Sequence, residues 1–269
     1  MKYKIIILTK KIFHFLGIDP RKIISIRHLP RFINDYLLWK KKNGNITSFY
    51  PILSDKDDAA GVASGHYFHQ DLLVAQYVIS SGRDHVDIGS RIDGFIAHIA
   101  SSRPVEVWDI RSLKKSVHPN IVFKKRDLTS HLKDLEETIS SLSCLHALEH
   151  FGLGRYGDPI NTRGHIIALE NMIRLLKPLG NFYIGIPLDK NNTIQFNAHR
   201  TFHPNWILNL KVVRNNLDLQ RFDYVDGSGE LFKNIKCSSD LPNLRYSCGI
   251  YTFSKKNILE SNKKVASSL

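Results

Sequence analysis

The stretch His85-Val86-Asp87-Ile88-Gly89-Ser90-Arg91-Ile92-Asp93-Gly94 predicts a short strand, a tight turn and the start of a helix. Gly89 stands at the turn, where the lack of a Cβ atom lets the backbone approach a ligand closely. A dinucleotide fingerprint has the spacing GxGxxG, which rests a pyrophosphate on a helix N-terminus, and Arg91 occupies the position of its second glycine. The acidic Asp87 inside the strand instead favours a ligand that carries an ammonium group.

Outward from this stretch, short apolar runs alternate with segments of helical spacing. Helices are predicted over residues 71–80, 95–100, 165–176 and 204–215, and strands over residues 85–88, 105–110, 121–124, 142–145, 181–186, 219–225 and 246–253. This alternation is typical of a mostly parallel, doubly wound α/β sheet with helices on both faces. We expect one main domain over residues 65–256, a basic and partly helical extension over residues 1–64 and a flexible tail over residues 257–269.

Acidic residues lie in or just after the last residues of the first three predicted strands. Ligands of open α/β sheets bind outside the carboxyl ends of the strands, so residues at these ends are candidates for a site. Asp109 lies 20 residues after Gly89, a distance at which a carboxylate can accept hydrogen bonds from ribose hydroxyls, and Asp127 could meet an adenine amino group. Each acid alone is more often a turn or N-cap residue. The ordered set on successive strand ends favours a nucleoside ligand.

Two further passages complete a recognisable series of motifs. Cys144-Leu145-His146-Ala147-Leu148-Glu149-His150-Phe151-Gly152 follows the fourth strand, and Arg174-Leu175-Leu176-Lys177-Pro178-Leu179-Gly180 leads from a helix into the fifth. Together with Val86-Asp87-Ile88-Gly89, Asp109 and Asp127, they resemble the core of the class I S-adenosylmethionine (SAM)-dependent methyltransferases. The departures are Ser90 to Asp93 in place of a second glycine and Leu179 in place of a glycine.

This resemblance implies a Rossmann-like class I methyltransferase fold with a mostly parallel seven-stranded sheet, the last two strands forming a hairpin-like pair. It implies SAM as cofactor and S-adenosylhomocysteine as product. The cofactor contacts expected from the matched motifs are Asp87, Gly89, Ser90, Asp109, Ile110, Asp127, Leu128 and His146, with Tyr67 and Gln70 as a lid before the first strand. The alternative for the aromatic residue of the lid is burial in the core, which is the commoner fate of aromatic side chains.

A narrower likeness concerns the segment before the first strand. Gly65-His66-Tyr67-Phe68-His69-Gln70-Asp71, together with residues 85–95, resembles a bacterial family of uncharacterised methyltransferase-like proteins that are often linked to surface-polysaccharide synthesis. The two histidines of this segment stand three residues apart, a ligand-like spacing, but no further ligand is evident nearby in sequence. We therefore predict no metal site.

Two histidine-containing pairs are candidates for the chemistry. Methyl transfer to a hydroxyl needs an oriented acceptor and a group that removes its proton, which is a usual task of histidine. Glu149 and His150 follow the fourth strand, and we take His150 as first choice for the base, with a purely structural role in the pocket wall as an equal alternative. His199 and Arg200 follow the fifth strand, where Arg200 could fork onto a phosphate or carboxylate. Their alternative is an ordinary surface loop.

Composition limits the classes of partner. The formal net charge is +13, but much of the excess lies near the chain ends, which weakens an interpretation as a nucleic-acid groove. The three cysteines form no CxxC pair, so they predict neither a zinc site nor a disulfide framework and favour the cytoplasm. The apolar and basic residues 1–17 resemble no cleavable signal, and an amphipathic helix at the inner face of the membrane is an alternative for them. A homo-oligomer also stays open.

These observations leave three functional hypotheses. The first is an O-methyltransferase that acts on a sugar or a small polar or phosphorylated precursor of a surface glycan. The second is a catalytically inactive methyltransferase-fold protein that binds or scaffolds a glycan assembly complex. The third, an RNA methyltransferase, rests on net charge alone.

Overall fold

The structure is a computed structural model that describes residues 23–115 and 118–257. The chain divides into two compact units, residues 1–62 and 63–269. In the first unit, a 3₁₀ turn over Ser25–His28 leads into helix α1 over Leu29–Lys41, and a second 3₁₀ turn spans Ser54–Asp57. Residues 1–17, for which an amphipathic helix is one alternative, and the tail beyond residue 257 lie outside the described residues.

The second unit carries the predicted alternation of strands and helices. Its helices are α2 (His66–Ser81), α3 (Ala97–Ala100), α4 (Gly164–Leu175), α5 (Trp206–Asn209) and α6 (Lys211–Asn216). A π-type turn over Ile92–Ile96 precedes α3. Its strands are β1 (Val86–Ile88), β2 (Val105–Asp109), β3 (Ile121–Lys125), β4 (Ile139–Leu145), β5 (Leu176–Leu188), β6 (Thr193–Gln195), β7 (His199–Thr201), β8 (Leu217–Val225), β9 (Leu231–Phe232) and β10 (Ser247–Lys255).

The main sheet has the strand order β3-β2-β1-β4-β5-β10-β8-β9. The pairs from β3 through β5 are parallel, and β10 is antiparallel to both β5 and β8. Without β9, this order is that of the class I methyltransferase sheet, so the Rossmann-like fold class is confirmed, as is the pairing of the last two predicted strands. The carboxyl ends of β1 to β5 therefore meet at one edge of the sheet.

The strand count was wrong, because the sheet has eight strands rather than seven. The extra strand, β9, forms because a tight turn after β8, in which the Gly229 amide donates to the Asp226 carbonyl, returns the chain alongside β8. A two-residue strand is too short to show the alternation by which strands are predicted. A separate hairpin of β6 and β7 also lies outside the predicted set.

The sheet is covered on both faces. On one face, α2, the π-type turn and α3 pack apolar residues against β2, β8 and β10, with Val74, Val78 and Ile96 fully buried. On the other, α4 packs against β4 and β5 through Leu169 and Met172. The predicted helix 204–215 is two short helices, because Leu210 between them is extended. Among the described residues, no helix has both the length and the apolar character needed to cross a bilayer.

Candidate functional site

Two adjoining cavities open at the carboxyl edge of the parallel strands. The narrow cavity lies beside the ends of β2 and β3 and is lined by Ile88, Gly89, Trp108, Asp109, Ile110, Arg111, Arg126, Asp127, Leu128, His146, Ala147, His150, Phe151, Tyr156 and Asp158. The wide cleft lies beside the ends of β1 and β4, and its volume of about 780 Å³ is within the range of small-molecule sites. Gly89, Arg111, His146, His150 and Tyr156 line both, so the two cavities form one continuous site.

The turn after β1 confirms the reason for a glycine at this place. Gly89 has a φ of +80°, and its amide donates to the Trp108 carbonyl at 2.9 Å. A Cβ atom at position 89 would lie 2.9 Å from the Cβ of Ala147, in the segment after β4. Both the left-handed backbone and the close approach of the two segments therefore need glycine.

Asp87 was expected to contact the cofactor, but the structure places it outside the site. Its side chain is completely buried and lines neither cavity. Its Oδ2 accepts a hydrogen bond from the Ser90 amide at 3.0 Å, and its Oδ1 accepts from the hydroxyls of Ser90 and Ser143. Burial raises its pKa to about 7, although these hydrogen bonds oppose the shift. The expectation that Asp87 contacts a ligand is thus corrected: the carboxylate holds the first turn from behind.

Asp109 lies at the rim of the narrow cavity and already has a cationic neighbour. Its carboxylate accepts from the Arg111 side chain at Nε (2.9 Å) and Nη2 (2.5 Å) and from the Arg111 amide at 2.7 Å. The guanidinium also lies 4.5 Å above the centre of the Tyr156 ring. The contacts with Arg111 leave fewer acceptor sites on Asp109 for ribose hydroxyls.

Asp127 and its neighbours form the floor of the narrow cavity. The Oδ1 of Asp127 accepts from the Thr129 amide at 2.8 Å and the Thr129 hydroxyl at 2.7 Å, which fixes the side chain at the end of β3. Arg126 lies 4.8 Å above the Trp108 ring, and its buried Nε has no partner. Apolar surface from Ile88, Ile110, Leu128 and Phe151 completes the lining. An apolar slot with the carboxylates of Asp109, Asp127 and Asp158 in its lining fits a nucleoside.

The segment after β4 brings His146 and Glu149 together. The Nδ1 of His146 lies 3.1 Å from the Oε1 of Glu149, and both side chains are almost fully buried. Burial acts to lower the pKa of His146, but the Cys248 sulfur and the Glu149 carboxylate outweigh it and raise this pKa well above its usual value. Burial acts to raise the pKa of Glu149, yet its hydrogen bond and ionic contact with His146 lower it. The two form an ion pair in the cleft wall.

Three residues of this wall carry buried polar atoms without a hydrogen-bond partner among the described residues. Glu149 Oε2, His146 Nε2 and His199 Nε2 are buried and make no hydrogen bond in the described chain. A buried polar atom left unsatisfied costs about 1–3 kcal/mol. A ligand with hydroxyl or amide groups would recover part of this cost, so the wall is suited to a polar ligand.

His150 is held as a neutral imidazole with a defined tautomer. Its Nδ1 lies 2.8 Å from the Ala198 carbonyl, which only accepts, so Nδ1 carries the proton. Burial lowers the pKa of His150, although the Glu149 carboxylate opposes the shift. The free lone pair is then on Nε2, which lies 3.8 Å from Glu149 Oε1. This arrangement can take a proton from a group in the cleft.

His199 and Arg200, adjacent in β7, have different environments. His199 lines the wide cleft and packs against Tyr246, with ring centres 5.5 Å apart, and burial lowers its pKa. Arg200 is buried behind the cleft, where Nη1 donates to the carbonyls of Glu149 (3.1 Å) and Phe151 (2.7 Å). The expectation that Arg200 forks onto a phosphate or carboxylate is therefore corrected, because its guanidinium is used to hold the segment after β4.

The remaining predicted contacts, Tyr67, Gln70 and Ser90, all line the wide cleft. Tyr67 is 64% exposed, so it is not a core residue, and its ring centre lies 5.0 Å from that of His146. The described residues hold no group of three or more His, Cys, Asp or Glu side chains arranged for a metal ion. His66 instead stacks on His146, with ring centres 5.6 Å apart.

Sequence reasoning missed several residues of the site. Asp71, Arg111 and Tyr246 line the wide cleft without having been predicted. Arg155 and Tyr156 also line it, and they belong to the glycine-rich segment after β4, which the sequence predicts as a mobile substrate loop. For the others no pattern was available: Asp71 lies in the second turn of α2, Arg111 follows β2, and Tyr246 directly precedes β10.

Comparisons with known proteins give one match to a family of unknown function and no match to a protein of curated function. A family model described as a Caenorhabditis protein of unknown function, DUF268, matches residues 109–227, which is less than half of the chain. No protein of curated function gives a significant match.

Solved structures with related folds have low sequence identity. N-methyltransferase NodS from Bradyrhizobium japonicum WM9, in complex with S-adenosylhomocysteine, is 13% identical with a TM-score of 0.47, covering 74% of this chain and 92% of that chain. The [4+2]-cyclase SpnF is 11% identical with a TM-score of 0.49, covering 76% and 91%. Burkholderia thailandensis 1,6-didemethyltoxoflavin-N1-methyltransferase is 15% identical with a TM-score of 0.43, covering 74% and 94%. The fold assignment rests on the strand order described above.

Proposed function

We propose that this protein is a SAM-dependent methyltransferase. The observation that carries the proposal is the continuous site at the carboxyl edge of a class I methyltransferase sheet, with Gly89, Asp109 and Asp127 at successive strand ends. The narrow cavity would hold the adenosine part, with Asp109 at the ribose and Asp127 at the adenine, and the wide cleft would hold the methionine part and the acceptor. The bound cofactor supplies an electrophilic methyl group on a sulfonium.

For the acceptor we propose a hydroxyl of a sugar or of a small polar or phosphorylated precursor of a surface glycan. The tautomer of His150 supports this, because the Ala198 carbonyl holds the proton on Nδ1 and leaves the lone pair on Nε2 of a residue that lines the cleft. The unpartnered Glu149 Oε2 and His199 Nε2 support a substrate with several hydroxyls. Arg155, whose Nη1 donates to the Ala198 carbonyl, lines the same cleft and would face an anionic substituent.

The cofactor assignment is tested by calorimetry of the full chain with SAM and S-adenosylhomocysteine. We expect both to bind, and the absence of binding would contradict the proposal. SAM consumption against a panel of nucleotide sugars and glycan fragments then tests the acceptor class.

The role of His150 is tested in the same assay with His150→Ala, and with His199→Ala as the neighbouring variant. We expect His150→Ala to lower kcat by about 10²–10⁴-fold while the cofactor Kd stays unchanged. Because the pKa of His150 is lowered, its deprotonated form persists below its usual range. In the wild type, kcat should therefore fall only when the pH drops below about 6.5, and an unaltered acid limb in His150→Ala would contradict the role as base.

A second candidate is a methyltransferase-fold binding protein without catalysis. The bidentate contact of Arg111 with Asp109 favours it, because this contact occupies the oxygens that ribose would use. Cofactor binding without turnover on any acceptor would support this candidate. Tighter cofactor binding by Arg111→Ala would show that the contact competes with the ligand.

A further inference from the structure

Asp71 is an acidic residue of the wide cleft that the motifs do not include. It lies in the second turn of α2 and lines the cleft together with Gly89 and Ser90 of the turn after β1 and with Gly94 of the π-type turn. In the proposed function, this part of the site receives the methionine end of the cofactor. The group there that needs an anionic partner is the α-ammonium.

The acid of strand β1 is not available for that task. Both carboxylate oxygens of Asp87 accept hydrogen bonds from Ser90, and Oδ1 also from Ser143. The side chain is completely buried and is absent from the walls of both cavities. A ligand ammonium in the cleft therefore cannot reach it without unfolding the turn.

The Asp71 carboxylate reaches the first turn because position 94 is a glycine. A Cβ atom at Gly94 would lie 3.0 Å from Asp71 Oδ2, closer than ordinary contacts allow. The backbone there is also irregular, with φ −119° and ψ −117°. The missing side chain leaves room for the carboxylate beside the turn that approaches the ligand.

Gln70 fixes the position of this carboxylate. Its Nε2 donates to Asp71 Oδ1 at 3.3 Å, and its own Oε1 accepts from the Cys248 thiol at 3.5 Å. Gln70 is itself 1% exposed and lies against Gly185, where a Cβ atom would collide with its Oε1. The acid is thus positioned by buried groups of β5 and β10 rather than left free on the surface.

No strong cation neutralises Asp71 in the described chain. Within residues 23–115 and 118–257, it forms no ion pair with lysine or arginine, and the basic groups that face it are His98 and His146. Burial raises its pKa, and the hydrogen bond from Gln70 only partly offsets this. An ammonium ligand would stabilise the charged carboxylate, because a nearby opposite charge offsets desolvation.

Resting on the proposed function, we infer that the Asp71 carboxylate binds the α-ammonium group of SAM. Gly94 provides the space for this contact and Gln70 orients the acid.

The experiment compares two ligands by calorimetry on the full chain. S-adenosylhomocysteine carries the amino group, and deamino-S-adenosylhomocysteine lacks only this group. We expect Asp71→Asn to weaken S-adenosylhomocysteine by about 10–100-fold, the loss typical of one charged hydrogen bond, and to leave the deamino ligand within about twofold of wild type. Asp93→Asn is the matched control, because Asp93 lines the same cleft but is exposed and paired with Arg91.

Other outcomes distinguish a failure of the proposed role of Asp71 from a failure of the proposed function. Equal weakening of both ligands, or none, would overturn the role of Asp71 while wild-type binding still supports the proposed function. If the wild type binds neither ligand, the proposed function fails and the inference fails with it. Gly94→Ala is a second variant in case Asp71→Asn does not fold, and it should weaken S-adenosylhomocysteine more than the deamino ligand. If Gly94→Ala weakened both ligands equally relative to wild type, the inference would also be overturned.

Discussion

At the residue scale, Asp87 combines a charged side chain with complete burial. The fully exposed form of such a group titrates near 3.8, whereas burial raises the pKa of Asp87 to about 7. Its neighbours Ser90 and Ser143 donate hydrogen bonds to it and keep it in place at either protonation state, because hydroxyl groups can both donate and accept.

This burial predicts a stability that depends on pH. Between pH 4 and pH 7, the native state keeps a proton on Asp87 that the unfolded chain has lost. The free energy of unfolding should therefore fall as the pH rises through this window, by roughly 2–4 kcal/mol relative to Asp87→Asn. Denaturant unfolding of both proteins at pH 4.5 and pH 8 measures the difference. The difference in the free energy of unfolding between wild type and Asp93→Asn, which removes an exposed acid and keeps Asp87, should not change over this window. A constant difference between wild type and Asp87→Asn would contradict the prediction.

The same residue shows the limit of local patterns. The motif around Asp87 predicted a strand followed by a glycine turn, and both are present. Whether the carboxylate faces a ligand or the core depends on Ser143, a residue of β4 that becomes its neighbour only when β1 and β4 pair. Sequence spacing contains no information about that contact.

At the scale of elements, the glycine-rich segment after β4 is a loop that its own hydrogen bonds hold in a defined conformation. The Asp158 carboxylate accepts from the amides of Gly152 at 2.7 Å and of Gly154 at 3.3 Å. It thereby positions Tyr156, which lines both cavities and lies next to Arg111 and Arg155. The loop forms one wall of the site.

Two glycines of this loop allow a matched test. Gly152 and Gly157 both have positive φ, +78° and +81°. A Cβ atom at Gly152 would lie 2.0 Å from the Asn161 carbonyl oxygen, whereas at Gly157 nothing lies within 4 Å. We expect Gly157→Ala to lower the free energy of unfolding by about 1–2 kcal/mol, which is the cost of the left-handed backbone alone, and Gly152→Ala to cost more. Denaturant unfolding checks this, and equal costs would show that the loop tolerates displacement at Asn161.

At the scale of the whole molecule, the site lies where the strands of the sheet converge. A ligand that binds there contacts residues that follow several strands, so it stabilises the native state of the whole unit by mass action. At a concentration about 100 times its Kd, S-adenosylhomocysteine should add about 2.7 kcal/mol to the free energy of unfolding. For a unit of this size, we expect the Tm to rise by roughly 5–10 °C.

The high net charge provides the control for this thermal shift. A chain with a formal charge of +13 also attracts anions without specificity, and such attraction is screened by salt. S-adenosylhomocysteine has little net charge, so its effect on Tm should persist when the salt concentration is raised. Adenosine monophosphate, which lacks the amino-acid part, should give a smaller shift. A shift that vanishes in salt would indicate non-specific binding.

The sequence by itself determined the alternation of strands and helices, the first glycine turn and the order of Gly89, Asp109 and Asp127 along the chain. These features depend on the periodicity of apolar side chains and on the conformational freedom of glycine, which act over a few residues. The positions of His150 and His199 after the fourth and fifth predicted strands made them candidates for the chemistry, and both line the wide cleft.

Only the tertiary structure decided which charged groups face the cavity. Asp87 and Arg200 point into the protein because their hydrogen-bond partners, Ser143 and the carbonyls of Glu149 and Phe151, come from segments about 50 residues away. Asp71 lines the cleft because α2 brings its carboxylate beside Gly94 of the π-type turn. Burial and the pairing of polar groups are properties of the packed chain, so neither can be derived from residue spacing.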